Sequence, residues 1–384
     1  MNIIVISHKE TWPDPTSPCG YSTVGGFPFQ MQAISNLFGQ TTLMLPIRST
    51  PLPVGAIPLT GHNLRVIPLA EPTGLGWRRK LSMIPWIARH VALLWREIAH
   101  ADSVHTPVGS DIGTIGLFIA LLQRKPLFIR HCGTWGKPAS WLDRVLQRFL
   151  EFIAGGRIVV LATGGADTPP SRRNPNIDWI FSTTLTQAEL ERTPTVRSWL
   201  PETPLRLITV GRLSQAKNVD AILRALPEIC QSLPDTHLDI LGEGEYRPIL
   251  EEIAAQLGLA DLVTFHGNVS HEEVMKTLLQ AHLFVFPTLR EGFPKAVLEA
   301  LACGLPVMAG RISVIPQLLR NGCGMLMNST SASDVARAVT SITSDPAQLA
   351  QMGTLARQSA QGYTLEAWGE TIGTKLRLAW GPLK

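Results

Sequence analysis

The sequence predicts an α/β protein of two doubly wound domains that face each other across a cleft. Its 384 residues are about two to three times the length of a typical domain. Short apolar runs alternate with longer stretches of helical period, which is the pattern of βαβ units and a parallel sheet. The pattern begins twice with an apolar strand that leads into a glycine-bearing turn, at residues 3–7 and at residues 205–210.

Seven strands are predicted in the first half of the chain. The first is followed by a loop at residues 8–26 and a helix at residues 27–38. The other six strands lie at residues 41–45, 64–68, 103–105, 127–130, 158–161 and 179–181. The stretches between them have the length and period of helices that pack on the faces of a sheet.

Six more strands are predicted in the second half, at residues 205–210, 238–241, 263–266, 283–287, 306–309 and 324–327. Three prolines, Pro194, Pro201 and Pro204, separate the two patterns. We therefore predict one domain at residues 1–200 and another at 201–363. The remaining stretch, residues 364–384, has no strand after it, and one arrangement is that it packs back on the first domain.

The composition excludes several classes of protein. With 45% hydrophobic and 17% charged residues, the chain has enough apolar material for two cores and is neither disordered nor fibrous. No segment supplies the ~20 uninterrupted apolar residues of a membrane-spanning helix. The five cysteines lack the spacing of a disulfide framework or a zinc site. The N-terminus does not have the pattern of a secretory signal, so we expect a cytoplasmic protein.

Charge is divided unevenly between the halves. Residues 1–200 hold 19 Lys and Arg against 12 Asp and Glu, a net of +7, and residues 201–384 hold 15 against 18, a net of −3. The basic half is therefore expected to face an anionic partner. No nucleic-acid-binding motif is present, so that partner is not expected to be a nucleic acid.

Cations and indoles alternate within the basic half, in the run Trp77, Arg78, Arg79 and Lys80 and again at Trp86. This mixture suits an anionic membrane surface on which a lipid-linked acceptor is presented, and it would place the protein peripherally on the inner face of a membrane. The alternative is a normal packing helix with a solvated basic start.

The segment at residues 285–299 is the most informative in the chain. A buried strand leads into a turn marked by Gly292 and Pro294, and a helix follows. Glu291 lies just before this helix and Glu299 about one turn inside it. A helix N-terminus suits a phosphate, and carboxylates accept hydrogen bonds from vicinal hydroxyls, so the two glutamates are expected to hold two parts of one ligand. Alternatively, Glu291 caps the helix and Glu299 is a solvated surface residue.

A second informative segment follows the strand at residues 205–210. Gly211 permits a tight turn there, and Arg212 and Lys217 project from the carboxyl end of the strand. Two cations at this place would neutralise a diphosphate, Arg with a planar fork and Lys with a point charge.

Four segments together resemble the family 4 glycosyltransferases, which are retaining enzymes of the GT-B fold. They are VGRLSQAKN at 210–218, LDILGEGEYRPILEE at 238–252, VTFHGNVSHEEV at 263–274 and AHLFVFPTLREGFPKAVLEALACGLPV at 281–307. The resemblance covers residues 205–375 well and the first half loosely. It implies two Rossmann-like domains and the transfer of a sugar from a UDP- or GDP-linked donor to an acceptor hydroxyl. The product would be a polysaccharide, lipopolysaccharide or glycolipid, and neither a metal nor a cofactor would be required.

The resemblance also implies a role for each matched residue of the second half. Arg212 and Lys217 would bind the donor diphosphate. Glu291 would hold hydroxyls of the donor sugar, and Glu299 the hydroxyls of the ribose. Gly267 would lie beside the nucleotide base.

Two loops would complete the donor site by the same resemblance. Gly292, Phe293 and Pro294 would present backbone amides to the sugar and the phosphates. Gly25 and Gly26, before the first helix, look like the glycine pair that the family places near the diphosphate. An ordinary turn is the alternative for this pair.

One catalytic candidate lies in the first half. His131 follows the strand at residues 127–130, where the family often has a histidine that contacts the donor sugar, but Cys132 replaces the Asp that usually follows. A structural histidine is one alternative, and Arg130 as the functional residue is another. His105, at the end of a neighbouring strand, is expected to have a core or supporting role.

The predicted reaction is attack by an acceptor hydroxyl on the anomeric carbon from the face that the nucleoside diphosphate leaves. Arg212 and Lys217 would stabilise the leaving charge, and the leaving phosphate oxygen would take the proton, so no general base is assigned. Two alternatives are a non-catalytic nucleotide-sugar-binding relative and a GT-B epimerase. A dinucleotide oxidoreductase is disfavoured because no G-x-G-x-x-G follows either opening strand.

Overall fold

The computed structural model describes residues 1–74, 76–133, 135–136, 138, 140–193 and 199–384, without the side chain of Trp77. The chain forms two compact units. The first comprises Met1–Thr184 together with Leu365–Lys384, and the second is the continuous segment Leu185–Thr364.

The described residues of the first unit form ten strands and five helices. The strands are β1 (Asn2–Ile6), β2 (Thr11–Pro13), β3 (Tyr21–Thr23), β4 (Gln40–Ile47), β5 (Ile57–Pro58), β6 (Leu64–Ala70), β7 (Ser103–Val108), β8 (Leu127–His131), β9 (Ile158–Thr163) and β10 (Ile177–Ile180). The helices are α1 (Phe27–Ser35), α2 (Gly76–His100), α3 (Asp111–Leu122), α4 (Trp141–Ile153) and α13 (Leu365–Trp380).

The sheet of this unit runs β10-β9-β8-β7-β1-β4, and both β6 and β2 pair with β4. Seven strands, β10, β9, β8, β7, β1, β4 and β6, are parallel. They read as continuous apolar runs because helices cover both faces of the sheet, and four of the five residues of β1 are buried. A smaller antiparallel group of β2, β3 and β5 extends one edge.

Helix α13 belongs to the first unit although it follows the second unit in the chain. Trp368 is fully buried in the same hydrophobic cluster as Met31 of α1 and Phe128 of β8. The indole of Trp380 donates to the carbonyl of Arg157 (2.9 Å). These contacts cover one face of the sheet, so the apolar side of α13 packs back on the first unit.

In the part of the second unit that the structure describes there are six strands, β11 (Arg206–Val210), β12 (His237–Leu241), β13 (Val263–Gly267), β14 (Leu283–Phe286), β15 (Val307–Gly310) and β16 (Gly324–Met327). Its helices are α5 (Gln187–Arg192), α6 (Val219–Ser232), α7 (Arg247–Gln256), α8 (His271–Leu278), α9 (Lys295–Ala302), α10 (Ile315–Leu318), α11 (Ala332–Thr343) and α12 (Pro346–Ala360). The strand order is β13-β12-β11-β14-β15-β16, and every pair is parallel.

The chain passes from the first unit to the second between Thr184 and Leu185, whereas the sequence places this boundary at residue 200. Helix α5 accounts for the difference, because its contacts are with the second unit. Glu189 accepts a hydrogen bond from His271, and Arg357 donates to the carbonyl of Leu190. Pro194, one of the three prolines that suggested the later boundary, lies outside the described residues.

All thirteen predicted strands are present, with ends that differ by a few residues. Three more strands were not predicted, β2, β3 and β5. Each has two or three residues, too few for a periodic apolar pattern, and two of them lie in the segment expected to be a loop.

One prediction about α2 is wrong. Trp86 is buried, and it donates through its indole N–H to the carbonyl of Ala70 (2.6 Å) and stacks on His90. It cannot enter a membrane surface because it lies on the packed face of the helix, together with Met83 and Leu94. Within the described part of the chain, no helix is both long and apolar enough to cross a bilayer.

Candidate functional site

In the second unit, the loops that follow β11 and β14 leave the sheet at the place where its strand order reverses. Strands β12 and β13 lie on one side of β11, and β14, β15 and β16 lie on the other. At such a reversal the connections on the two sides diverge and leave a crevice beyond the carboxyl ends of the strands, where ligands of this fold class bind. The β11 loop carries Arg212 and Lys217, and the β14 loop carries Glu291.

Glycines lie next to this crevice, at the carboxyl ends of β11, β12 and β13. A Cβ on Gly242 would lie 2.0 Å from the carbonyl oxygen of Gly211, and one on Gly244 would lie 2.1 Å from that of Leu213. The loops after β11 and β12 are thus in backbone contact, which no other residue type would allow. They border a cavity of about 350 Å³ whose lining includes Gly211, Arg212, Gly242, Gly267 and Asn268.

Lys217 and Glu291 form an ion pair between the two loops. Both side chains are mostly buried, and the Lys217 Nζ also lies 5.1 Å from the centre of the Phe286 ring. A charged pair with so little water around it interacts more strongly than one on the surface.

Hydrogen bonds between the two loops hold this pair in place. Lys217 ends a short 3-10 turn, and Asn218 follows in the left-handed conformation (φ 56°). The Asn218 amide donates to the carbonyl of Pro287 (3.2 Å), and the backbone N–H of Leu289 donates to the carbonyl of Ala216 (2.8 Å). The ammonium and the carboxylate are therefore positioned by backbone that is itself held in place.

Arg212 is exposed on the wall of the same cavity. Its guanidinium makes no hydrogen bond or ion pair with any residue that the structure describes. It is therefore available to an anionic ligand.

The loop before α9 is closed by two bonds. Ser313 donates to the carbonyl of Gly292 (2.6 Å), and the backbone N–H of Lys295 donates to the carbonyl of Phe293 (3.1 Å). Phe293 is buried, and Pro294 lies at the N-cap of α9, one residue earlier than the first helical position predicted. Glu291 makes no capping bond to this helix, so the alternative in which it caps α9 does not describe the structure.

Glu299 lies on α9 and is largely buried, so it is not a solvated surface residue. His271 places its Nδ1 3.9 Å from a carboxylate oxygen of Glu299, and it donates through Nε2 to Glu189 (2.9 Å). The hydrogen bond to Glu189 raises the pKa of His271, with a further contribution from Glu299. The bond between His271 and Glu189 was not predicted from the sequence because the two residues lie 82 residues apart, although His271 belongs to the segment at 263–274.

The first unit also has a cavity at its strand-order reversal, between β1 and β7. It measures about 460 Å³ and is lined mainly by charged and polar side chains: His8, Glu10, Glu71, Arg79, Lys80, Ser110 and Asp111. Arg79 donates to Asp111 (2.7 Å), and Arg48 pairs with both Glu10 and Glu71. Burial lowers the pKa of His8, which favours its neutral form. No motif in the sequence indicated this cavity.

His131 is buried at the end of β8, and both of its ring nitrogens have partners. Nδ1 donates to the carbonyl of Gly133 (3.2 Å), and Nε2 accepts from the Gln147 amide (3.4 Å). Trp135 packs edge-on against the ring. Burial lowers the pKa of His131, so the imidazole is neutral at pH 7.

Arg130 points to the opposite face of the sheet, as neighbouring strand residues do. It is buried, donates to the Gln30 side chain (2.7 Å) and lies over the ring of Trp368. His105 is fully buried on the same face and stacks on Phe128, and burial lowers its pKa to about 3. The described structure thus places His105 in the core.

Gly25 and Gly26 form the turn that enters α1. Gly25 has a φ of 75°, and a Cβ there would have no heavy atom within 4 Å. Gly26 is the N-cap of α1, which has no side-chain cap. The turn conformation alone explains Gly25. Among the described residues there is no group of three or more His, Cys, Asp or Glu that could hold a metal ion.

Comparison with known proteins identifies the second unit more closely than the first. The family described as "Glycosyl transferases group 1" matches residues 195–359. One subunit of human phosphatidylinositol N-acetylglucosaminyltransferase is 38% identical over 115 residues, which are 30% of this chain and 24% of that protein. The "GDP-mannose-dependent alpha-(1-6)-phosphatidylinositol monomannoside mannosyltransferase" of Mycolicibacterium smegmatis is 33% identical over 179 residues, 44% of this chain and 46% of that protein. The chain thus spans less than half the length of these curated relatives.

Solved structures match the chain over nearly its whole length. Anabaena Alr3699/HepE in complex with UDP and glucose has a TM-score of 0.69, 14% identity and coverage of 98% of both chains. Sucrose-phosphate synthase from Thermosynechococcus elongatus has a TM-score of 0.68, 16% identity and the same coverage. At this identity the likeness shows the fold, which is that of the GT-B glycosyltransferases. The chain therefore has a GT-B fold, and its residues 195–359 match the glycosyl transferases group 1 family.

Proposed function

We propose that this protein transfers a sugar from a nucleoside diphosphate donor to an acceptor hydroxyl, with retention of configuration and without a bound metal. The observation that carries the proposal is the Lys217–Glu291 pair, held between two loops beside a glycine-walled cavity. Both residues lie in the segment that matches the group 1 glycosyl transferases. The proposed product class is a polysaccharide, lipopolysaccharide or glycolipid.

The nucleotide of the donor would occupy the cavity of the second unit. Its diphosphate would meet Arg212 and Lys217, and Gly267 would lie beside the base. Because the glycines leave no side chain in the way, a ligand can approach the main chain closely. A UDP- or GDP-linked donor is proposed, since one relative is named for GDP-mannose and one structural neighbour holds UDP.

The two glutamates would recognise hydroxyls. Glu291 would accept hydrogen bonds from the donor sugar, and Lys217 would turn from Glu291 towards the phosphate, because a diphosphate carries more negative charge than one carboxylate. Glu299 would accept from the ribose hydroxyls, with His271 next to it.

The chemical step forms a bond from the acceptor oxygen to the anomeric carbon and breaks the bond from that carbon to the phosphate oxygen. The acceptor proton passes to the departing phosphate oxygen, so no general base is needed. Lys217 and Arg212 stabilise the charge that develops on the leaving group, which is electrostatic catalysis by groups already in position. For His131 we propose contact with the donor sugar, for which it would exchange the bond from Gln147.

The acceptor would bind in the first unit, at the cavity lined by His8, Glu10, Arg79 and Asp111. Its carboxylates are suited to hydroxyls, because each oxygen accepts an O–H bond. Lys80, which also lines the cavity, would attract an anionic group on the acceptor.

A cytoplasmic location, peripheral to the inner face of a membrane, is proposed for the protein. In the segment singled out in the sequence, Arg78, Lys80 and Ile84 are exposed and would support it. The side chain of Trp77 lies outside the described residues, and Trp86 is excluded by its burial.

Titration calorimetry with UDP and GDP tests the donor assignment. We expect one of them to bind, and Lys217→Ala to weaken that binding at least about tenfold because a charge-assisted contact is lost. Lys276→Ala is the matched control, since Lys276 is an exposed lysine of the same unit. If neither nucleotide binds, nor UDP-glucose nor GDP-mannose, the proposed function is overturned.

A further inference from the structure

Exposed apolar side chains are concentrated on three helices of the first unit. Among the described residues, seventeen large apolar side chains are exposed, and ten of them lie on α2, α3 and α4. These ten are Leu81, Ile84, Val91, Trp95, Phe118, Leu122, Trp141, Leu142, Val145 and Phe152. Single exposed apolar residues are normal, but a cluster of this size marks an interaction surface.

Helix α4 shows most clearly that this exposure is built into the sequence. Trp141 and Phe152 are 70% and 86% exposed, and Val145 lies between them on the same side of the helix at helical spacing. The polar residue Gln147 is instead buried, where it bonds to His131. Much of the apolar side of α4 is therefore exposed to solvent.

The three helices form one continuous surface. The rings of Phe118 on α3 and Phe149 on α4 are 5.7 Å apart. At the end of α3, the side chain of Gln123 donates to the carbonyl of Trp95 on α2 (2.9 Å). We call this surface the helical face and define it by Trp95, Phe118, Leu122, Trp141, Val145 and Phe152.

Positive charges outnumber negative ones around the helical face. Residues 76–153 hold 11 Lys and Arg against 5 Asp and Glu, a net of +6. Five arginines next to the apolar residues are exposed: Arg89, Arg96, Arg124, Arg144 and Arg148. The acidic residues of the three helices are all half-buried, and three of them, Glu97, Asp111 and Glu151, are in ion pairs with arginine. The face therefore presents cations and aromatic rings to its surroundings.

We propose that the helical face binds the surface of a lipid bilayer that contains anionic lipids. Aromatic and aliphatic side chains enter the boundary between headgroups and acyl chains, and the arginines meet the negative surface potential. Most of its residues lie on α3 and α4, so this is a different surface from the start of α2 that the sequence singled out. The proposal does not depend on the transferase activity, because vesicle binding is measured without turnover.

Flotation of the full chain with phosphatidylcholine vesicles, with and without phosphatidylglycerol, tests this proposal. We expect the protein to float with the phosphatidylglycerol vesicles, and the double variant Trp141→Ser/Phe152→Ser to lose at least about tenfold in binding. Arg144→Gln/Arg148→Gln should lose binding to the anionic vesicles, and the wild-type binding should fall with added salt.

Leu378→Ser is the matched control. Leu378 is also 86% exposed but lies on α13, away from the helical face, so its loss should leave flotation unchanged. The proposal is overturned if the wild type does not float, or if the Trp141/Phe152 variant floats as the wild type does. A wild-type dimer in sedimentation that the same variant dissociates, without vesicle binding, would assign the face to a second copy instead. A circular dichroism spectrum and a melting temperature equal to those of the wild type show that each variant is folded. Unchanged calorimetry with UDP or GDP separates either failure from that of the proposed function.

Discussion

The two units have the same strand order around their first strands, yet they place different chemistry at the carboxyl ends of those strands. In the second unit three glycines, Gly211, Gly242 and Gly267, are part of the cavity lining at the ends of β11, β12 and β13. In the first unit the lining is largely side chain, including Arg79 and Asp111. Identical topology therefore does not dictate the same kind of site.

The physical difference lies in how closely a ligand can approach the main chain. Glycines in the second unit leave no side chain between a ligand and the main chain, which suits a nucleotide. Where carboxylates and cations project into the cavity, hydroxyls and charged groups are recognised by side chains. On this comparison we propose that the donor binds in the second unit and the acceptor in the first, and four predictions test the proposal.

The largest effect is expected from the pair of the second unit. Glu291→Gln and Lys217→Ala should each lower turnover at least about 100-fold, because they act on charge that develops in the transition state. The measurement is the initial rate of UDP or GDP release from whichever sugar nucleotide supports turnover. Lys276→Ala should keep the wild-type rate. Rates near the wild type for the first two variants would remove both residues from the site.

Gly242 of the second unit and Gly109 of the first should differ in how much stability is lost when a methyl group is added. At Gly242 a Cβ collides with backbone, and we expect Gly242→Ala to lower the free energy of unfolding by about 2–4 kcal/mol. Gly109, in the first unit, has a φ of 108° but nothing within 4 Å of a Cβ, so Gly109→Ala should cost about 1–2 kcal/mol. Urea denaturation measures both values. Equal costs would contradict the distinction drawn between the two walls.

A variant of the first unit should separate acceptor binding from donor binding. Arg79→Gln removes the ion pair with Asp111, and we expect the KM for the acceptor to rise about tenfold while the affinity for UDP or GDP stays the same. Arg65→Gln serves as the control, since Arg65 is an exposed arginine of the same unit. A loss of nucleotide affinity in Arg79→Gln would count against the division of roles.

The smallest effect is expected from pH, with opposite signs for a histidine of each unit. The pKa of His271 is raised above its ordinary value of 6.5, so its contribution to stability is full below pH 6.5 and is lost as pH rises through the folded-state pKa. The pKa of His105 is lowered to about 3, so stability is lost as pH falls from 6.5 towards 3. The melting temperature should fall both at alkaline pH and at acid pH, and His271→Gln should reduce only the alkaline fall. If the melting temperature of that variant falls at alkaline pH as it does in the wild type, His271 is not the cause of that fall.

Much of this architecture is predictable from the sequence because the strands of a parallel sheet that is covered on both faces are continuous apolar runs. The loops that carry Lys217 and Glu291 could be placed for the same reason, since each follows such a run. The fold class, the longer parallel strands of both sheets and the neighbourhood of these two residues all follow from local pattern.

Other features depend on contacts between distant residues. The His271–Glu189 bond spans 82 residues, and no local pattern signals it. The prediction for Trp86 is wrong because it rests on the composition of the segment and not on the side of the helix that each residue occupies. Met83, Trp86 and Leu94 lie on one buried side of α2, and their helical spacing indicates this. Large apolar residues are expected to be buried, so the exposure of Trp141 and Phe152 could not be predicted from the sequence and is visible only in the structure.

The position of α13 has a consequence for the order in which the protein is made. A ribosome completes the second unit before it synthesises Leu365–Trp380, the helix that closes one face of the first unit's sheet. During that interval Phe128 and Met31 lack the cover of Trp368. The unit that begins the chain is thus the last to finish folding, and a nascent chain arrested before residue 365 would carry a folded second unit and an incomplete first one.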